Sequence, residues 1–155
     1  MKSTRFVQFA VVAAFALIIA ACGGGSGAGT ETAGIDIDAE TQLVPVDGGN
    51  YTDVSVKGLV AKLQSKDFVL VNVHIPYAGE IENTDLFIPF DKIAQNLAKL
   101  PTDKDAQIVV YCRSGGMSAI SAAELVQQGY TNVWNLDGGM NAWKAAGEPL
   151  LQKDT

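Results

Sequence analysis

The sequence predicts an α/β domain, a mainly parallel sheet of about five strands with helices on both faces. Three observations lead there. Short apolar runs of strand length alternate with segments of helical periodicity, the order a parallel sheet requires. The runs at 68–73 and 107–111 are apolar at nearly every position, as strands buried on both faces are. Helix-ending residues stand where the helical stripes stop, at Pro101, Gly129 and Gly147.

The elements follow in order. Tyr51 to Val54 has strand length. Ser55 is placed to cap a helix in which Val56, Leu59, Val60 and Leu63 recur at helical spacing, weakened by Gly58. Phe68 to Val73 is a strand, and Leu86 to Ile88 a shorter one ended by Pro89. Phe90, Ile93, Ala94, Leu97 and Leu100 form a helical stripe before Pro101. Gln107 to Tyr111 is the next apolar strand. Residues 117–128 predict a helix with Ala119, Ile120, Ala122, Ala123 and Val126 on its apolar face. Ser118, Ser121, Glu124 and Gln128 take the other face. Val133 to Leu136 is a further strand. Asn141 to Ala146 is a last helix, with Asp137 before it as the expected cap. Trp134 and Trp143 sit among apolar neighbours and are expected in the core.

Composition narrows the function. The 155 residues suit one ordinary domain. Apolar residues make up 48%, which excludes disorder throughout. A net charge of −6 speaks against nucleic acid as a partner, since phosphates call for a basic stripe. Two cysteines cannot staple a small secreted scaffold, and with one histidine they fall short of a four-ligand zinc site. No metal and no cofactor is expected.

The N-terminal residues belong to another category. Lys2 and Arg5 precede an apolar run from Phe6 to Ala21, shorter than the roughly 20 residues a spanning helix needs. Ile19-Ala20-Ala21-Cys22 resembles the lipobox of a bacterial lipoprotein signal. That resemblance implies a signal peptide at 1–21, cleavage before Cys22 and lipid attached to Cys22. The folded part would then lie outside the cytoplasm, tethered to a membrane and periplasmic or at the cell surface. Residues 22–49 read as the lipidated Cys and a flexible Gly-rich, acidic linker, and residues 50–155 as the domain. Losing Lys2 and Arg5 from eleven basic residues leaves nine against seventeen acidic, a net −8. Cys112 is then the one free thiol, and Arg113 beside it the one arginine.

Ligands of parallel sheets gather beyond the carboxyl ends of the strands, so the segments after Val73, Tyr111 and Leu136 matter most. After Tyr111 stands Cys112-Arg113-Ser114-Gly115-Gly116-Met117-Ser118, a strand end, a tight loop and a helix N-terminus. Adjacent glycines let several backbone N–H groups converge, and the helix start adds unpaired donors and partial positive charge. Such a cradle favours a thiolate or a bound oxyanion.

The loop Cys112-Arg113-Ser114-Gly115-Gly116 and the later Leu136-Asp137-Gly138-Gly139-Met140-Asn141-Ala142-Trp143 through Pro149 together resemble a rhodanese domain, over about residues 50–150. The resemblance implies a sulfurtransferase. Cys112 would take a sulfane sulfur from a donor such as thiosulfate, hold it as a persulfide and pass it to an acceptor. Arg113, Ser114, Gly115, Gly116, Met117 and Ser118 would bind substrate. Met117 stands where many members carry Arg, which leaves Arg113 to meet an oxyanion. Ser118 stands where related phosphatases need Arg, so a phosphate clamp is missing.

Asn72-Val73-His74 replaces the family's frequent Asp-x-Arg, and Gly79-Glu80-Ile81 its Gly-His-Ile. His74 then either lines the pocket and helps an acceptor thiol lose its proton, or only hydrogen-bonds the loop from Ile75 to Asp85. With one free thiol, the acceptor comes from outside, as cyanide, a small thiol or a cysteine on a partner protein. A non-enzymatic module that carries sulfur or docks on a partner is the alternative. A thiol-based oxyanion reductase would need a second cysteine.

Overall fold

The structure, a computed structural model, describes residues 35–153. The apolar run, Cys22 and the Gly-rich stretch at 23–34 lie outside the described residues. In chain order the strands are β1 (Thr41–Val46), β2 (Gly49–Val54), β3 (Val69–Asn72), β4 (Leu86–Phe87), β5 (Ile108–Tyr111) and β6 (Val133–Leu136). The α-helices are α1 (Val56–Leu63), α2 (Gly116–Gln127) and α3 (Gly139–Ala145). The strands form one sheet in the order β1-β2-β6-β5-β3-β4. β2, β6, β5, β3 and β4 run parallel, which is the expected five-strand set.

β1 is a sixth strand, antiparallel to β2. It lies inside the stretch read as linker, so that reading is corrected: the ordered fold begins before residue 50. Leu43, Val44 and Val46 supply the apolar content, and Gly48 at φ 91° turns the chain back. Pro45 is tolerated because β1 is an edge strand. Glu40, just ahead of β1, accepts from Ser55 Oγ at 2.5 Å and Lys57 Nζ at 2.7 Å. Those bonds, Lys57's first, hold its carboxyl below the ordinary carboxylate value.

Alternate residues of the central strands enter opposite faces, as a period of two dictates. Val71, Val73, Val110 and Cys112 pack under α2 with Ala122, Leu125, Ile93 and Leu100. Leu70, Val109, Tyr111 and Leu136 face the other way, against Leu59 of α1 and Met140 and Trp143 of α3. Helices therefore cover both faces, and Trp143 is in the core. Trp134 is half-buried under the ammonium of Lys62.

Two expectations change. The stripe from Phe90 to Leu100 is not one helix but two 3-10 segments, Phe90–Lys92 and Ala94–Lys99. Asn96 breaks the second at φ −118°, and spacing that suits an α-helix serves separate turns as well. On α2 the buried face holds Ser118, Ser121, Ala122, Leu125 and Val126, while Ile120 is 57% exposed. The serines can be buried because the backbone takes their hydroxyls. Ser121 Oγ donates to Met117 O at 3.1 Å, and Ser118 Oγ lies 3.0 Å from Gly115 O.

Candidate active site

β5 ends in four buried residues and delivers Cys112 to the carboxyl edge of the sheet, 1% exposed. The chain then turns through Arg113 and Ser114, both exposed, and enters α2 by way of Gly115. Gly115 sits at φ 91°, a left-handed conformation that a side chain would strain. The turn folds the backbone over the sulfur. Gly115 N–H donates to Cys112 Sγ at 3.1 Å, and Ser118 Oγ lies 3.4 Å from it. The Ser118 hydroxyl has one proton and two targets, the sulfur and Gly115 O, so an anionic sulfur draws it.

Burial by itself would raise the Cys112 pKa. The Ser118 hydroxyl and the backbone N–H groups of Ser118, Ser114 and Gly115 outweigh it and hold the thiol below its ordinary value. Arg113 makes no salt bridge among the described residues, so its guanidinium stands free at the loop's rim.

The predicted site residues divide by what they do here. Gly115 and Ser118 hydrogen-bond the sulfur, and the Ser114 N–H adds to the stabilisation of its charge. Met117 leans on the core beneath α2. Gly116 has no special role in the turn: a Cβ there would meet nothing within 4 Å. Only the first of the two glycines is needed for the loop's shape.

The second glycine pair does something spacing did not reveal. A Cβ on Gly139 would lie 2.2 Å from Cys112 O and 3.0 Å from Arg113 C, so this glycine is pressed against the back of the loop. α3 starts there, and its first N–H groups point at the loop. Met140 N donates to Cys112 O and Asn141 N to Arg113 O, each at 2.9 Å. The loop carbonyls thus cap α3, and Gly138 occupies the cap position without any side-chain bond. The expectation that Asp137 caps this helix is corrected. Asp137 instead lines a surface cavity of about 210 Å³ with Asp53, Ser55 and Glu40.

β3 runs beside β5, with Asn72 opposite Tyr111. Val73 N donates to Tyr111 O at 2.9 Å, so the chain after β3 reaches the same edge as Cys112. The loop that follows is fastened by side chains. Asn72 Nδ2 donates to Gly79 O at 3.0 Å, and Ile81 N to Tyr111 Oη at 3.0 Å. Thr84 Oγ1 lies 2.7 Å from the same hydroxyl. Burial, outweighing these hydrogen bonds, pushes the Tyr111 hydroxyl up to about 12. Glu80 pairs with Lys153, and its backbone bridges to Leu151.

His74 takes no part in this fastening. It is 4% exposed, and neither Nδ1 nor Nε2 has a partner. The reading in which it hydrogen-bonds the following loop is therefore corrected, because Asn72 and Tyr111 do that work. Burial first, and then the Arg113 charge, hold its pKa below the ordinary histidine value.

Comparison with known proteins agrees with this architecture. The family model described as "Rhodanese-like domain" matches residues 60–146. A sulfurtransferase from Allochromatium vinosum is 38% identical over 90 residues, 56% of this chain and 81% of that protein. Thiosulfate sulfurtransferase GlpE from Pseudoalteromonas translucida is 29% identical over 101 residues, 62% and 91% of the two chains. The crystal structure of a rhodanese-like domain protein from Staphylococcus aureus superposes with a TM-score of 0.53 at 30% identity. That match covers 66% of this chain and 98% of that one.

Proposed function

Because the chain belongs to the rhodanese-like domain family, we propose that it is a sulfurtransferase working through a persulfide on Cys112. The Cys112 thiolate attacks the outer sulfur of a thiosulfate-like donor. The donor's S–S bond breaks, sulfite leaves with the electron pair, and the outer sulfur stays bonded to Cys112. The free Arg113 guanidinium faces the donor's oxyanion. An acceptor nucleophile then removes the outer sulfur, and Cys112 returns to thiolate.

The observation that carries this reading is the set of donors around the sulfur, Gly115 N–H at 3.1 Å and the Ser118 hydroxyl at 3.4 Å. The same groups stabilise negative charge on Cys112 whether it attacks or leaves. Cys112 is the free thiol among the described residues, which supports an acceptor from outside the domain.

The test is turnover. Thiosulfate with cyanide should give thiocyanate with the wild type and none with Cys112→Ser. Mass spectrometry after thiosulfate alone should show one added sulfur at Cys112. Sulfur gain without turnover would favour a carrier, and the absence of both signals would sink the sulfurtransferase reading and leave a binding module.

Lys2, Arg5, the apolar run and Cys22 support a second proposal, an extracytoplasmic lipoprotein held to its membrane through Cys22. Cys22→Ser should move the protein from the membrane to the soluble fraction. Equal membrane recovery of both forms would count against the lipid.

A further inference from the structure

His74 is a buried polar side chain that the fold does not use. Its backbone N–H is taken by Asn72 Oδ1 at 3.0 Å, while both ring nitrogens are unpaired. An unpaired buried polar group is destabilising, so a histidine without a structural partner at this position calls for another one. The loop after β3 does not supply it, being fastened through Asn72, Tyr111, Thr84 and Asp85.

The position of His74 indicates the missing partner. Asn72 pairs with Tyr111 across adjacent parallel strands, and Val73 and Cys112 share one apolar cluster. The residues that follow, His74 and Arg113, leave the sheet at the same carboxyl edge, and the Arg113 charge acts on the imidazole. Burial and that charge keep the ring unprotonated near neutral pH, with a lone pair to offer.

We propose that His74 receives the proton of an acceptor thiol as that thiol takes the outer sulfur from Cys112. The proposal rests on the sulfurtransferase reading and deepens it by naming a protonated thiol as the acceptor class. In the step, the acceptor S–H bond breaks and its proton passes to a ring nitrogen of His74. The acceptor's electron pair forms a bond to the outer sulfur. The bond between that sulfur and Cys112 Sγ breaks, and Cys112 leaves as the thiolate held by the loop N–H groups. The acceptor becomes the persulfide, Cys112 is reduced to the thiolate, and no outside oxidant or reductant enters. His74 then returns its proton to solvent. Sulfite, the leaving group of the loading step, is mainly the unprotonated dianion at mildly alkaline pH, so it takes the outer sulfur back with no proton to give and bypasses this residue.

The experiment compares acceptors. The full chain, loaded with sulfur at Cys112 by thiosulfate and freed of the excess, is mixed at mildly alkaline pH in single turnovers with dithiothreitol or with sulfite, as wild type, His74→Gln and His74→Ala. Positioned proton acceptors contribute about 10²-fold or more. Both variants should therefore lose thiol transfer by about that factor, while transfer to sulfite stays within about twofold. His74→Gln preserves a polar side chain of similar reach, so a loss in it separates proton transfer from packing. Equal losses with both acceptors, or no loss with dithiothreitol, would overturn the role of His74. A wild type that takes no sulfur at Cys112 would instead overturn the underlying sulfurtransferase reading.

Discussion

Two segments leave neighbouring parallel strands at the same edge of the sheet and are held by different means. The segment after β5 is held by backbone. Gly115 turns it, Gly139 lies against its back, and α3 caps itself on the carbonyls of Cys112 and Arg113. The segment after β3 is held largely by side chains, with Asn72, Tyr111, Thr84 and Glu80 each tying one point beside the backbone bridge from Glu80 to Leu151. A backbone-held loop has little room to give, since main-chain atoms have no rotamers with which to escape. It suits donors that must converge on one sulfur. A side-chain-held loop can exchange its ties.

The most damaging way to break the backbone-held segment is Gly139→Ala. Its methyl would overlap Cys112 O, and φ 55° strains any side chain. Loss of about 3 kcal/mol or more is expected in chemical denaturation, together with loss of sulfur transfer. Gly116→Ala is the matched control, because nothing lies near its Cβ, and it should fold as well as the wild type. Equal stability of the two variants would mean that Gly139 does not buttress the loop.

Tyr111→Phe breaks the side-chain-held segment instead. It strands the Ile81 N–H and removes one of two partners of the Thr84 hydroxyl, which keeps its bond to Ile81 O, for an expected loss of about 1–3 kcal/mol. Alkylation of Cys112 should keep its pH profile. A shifted profile would show that the two segments are coupled.

The finest distinction is Ser118→Ala. It removes one donor from the sulfur and leaves the backbone donors in place, at about 1 kcal/mol or less in stability. The folded Cys112 pKa is depressed, so the thiolate forms at lower pH in the native state than in the unfolded chain. Ionisation therefore favours the fold above the unfolded thiol's pKa, and that gain is lost as pH falls through the folded value. In Ser118→Ala the alkylation profile should move toward higher pH. An unmoved profile would mean that the backbone donors alone set the thiolate.

Much of this was legible in the chain itself. The strands at 68–73 and 107–111 carry their burial in an unbroken run of apolar residues, and the Cys112 loop carries its shape in Gly115. β1 was less visible, because Pro45 and the acidic residues around it resemble a tether. It becomes a strand only by pairing with β2. The α2 face was misread at Ser118, Ser121 and Ile120, since polarity signals exposure only when a side chain's hydrogen bonds must come from water. Here the helix's own backbone takes them.

The sequence by itself determined the order of strands and helices, the thiol at a strand end and the glycine that lets its loop turn. Those are properties of neighbouring residues, written in periodicity and in allowed backbone angles. The tertiary structure alone decided that Gly139 rather than Gly116 is pressed against another segment, that Ser118 faces the sulfur, and that His74 is buried with both nitrogens unpaired. Each of these depends on which distant segment lies across the sheet edge. Steric overlap and hydrogen bonding act through space, between residues that local pattern does not connect.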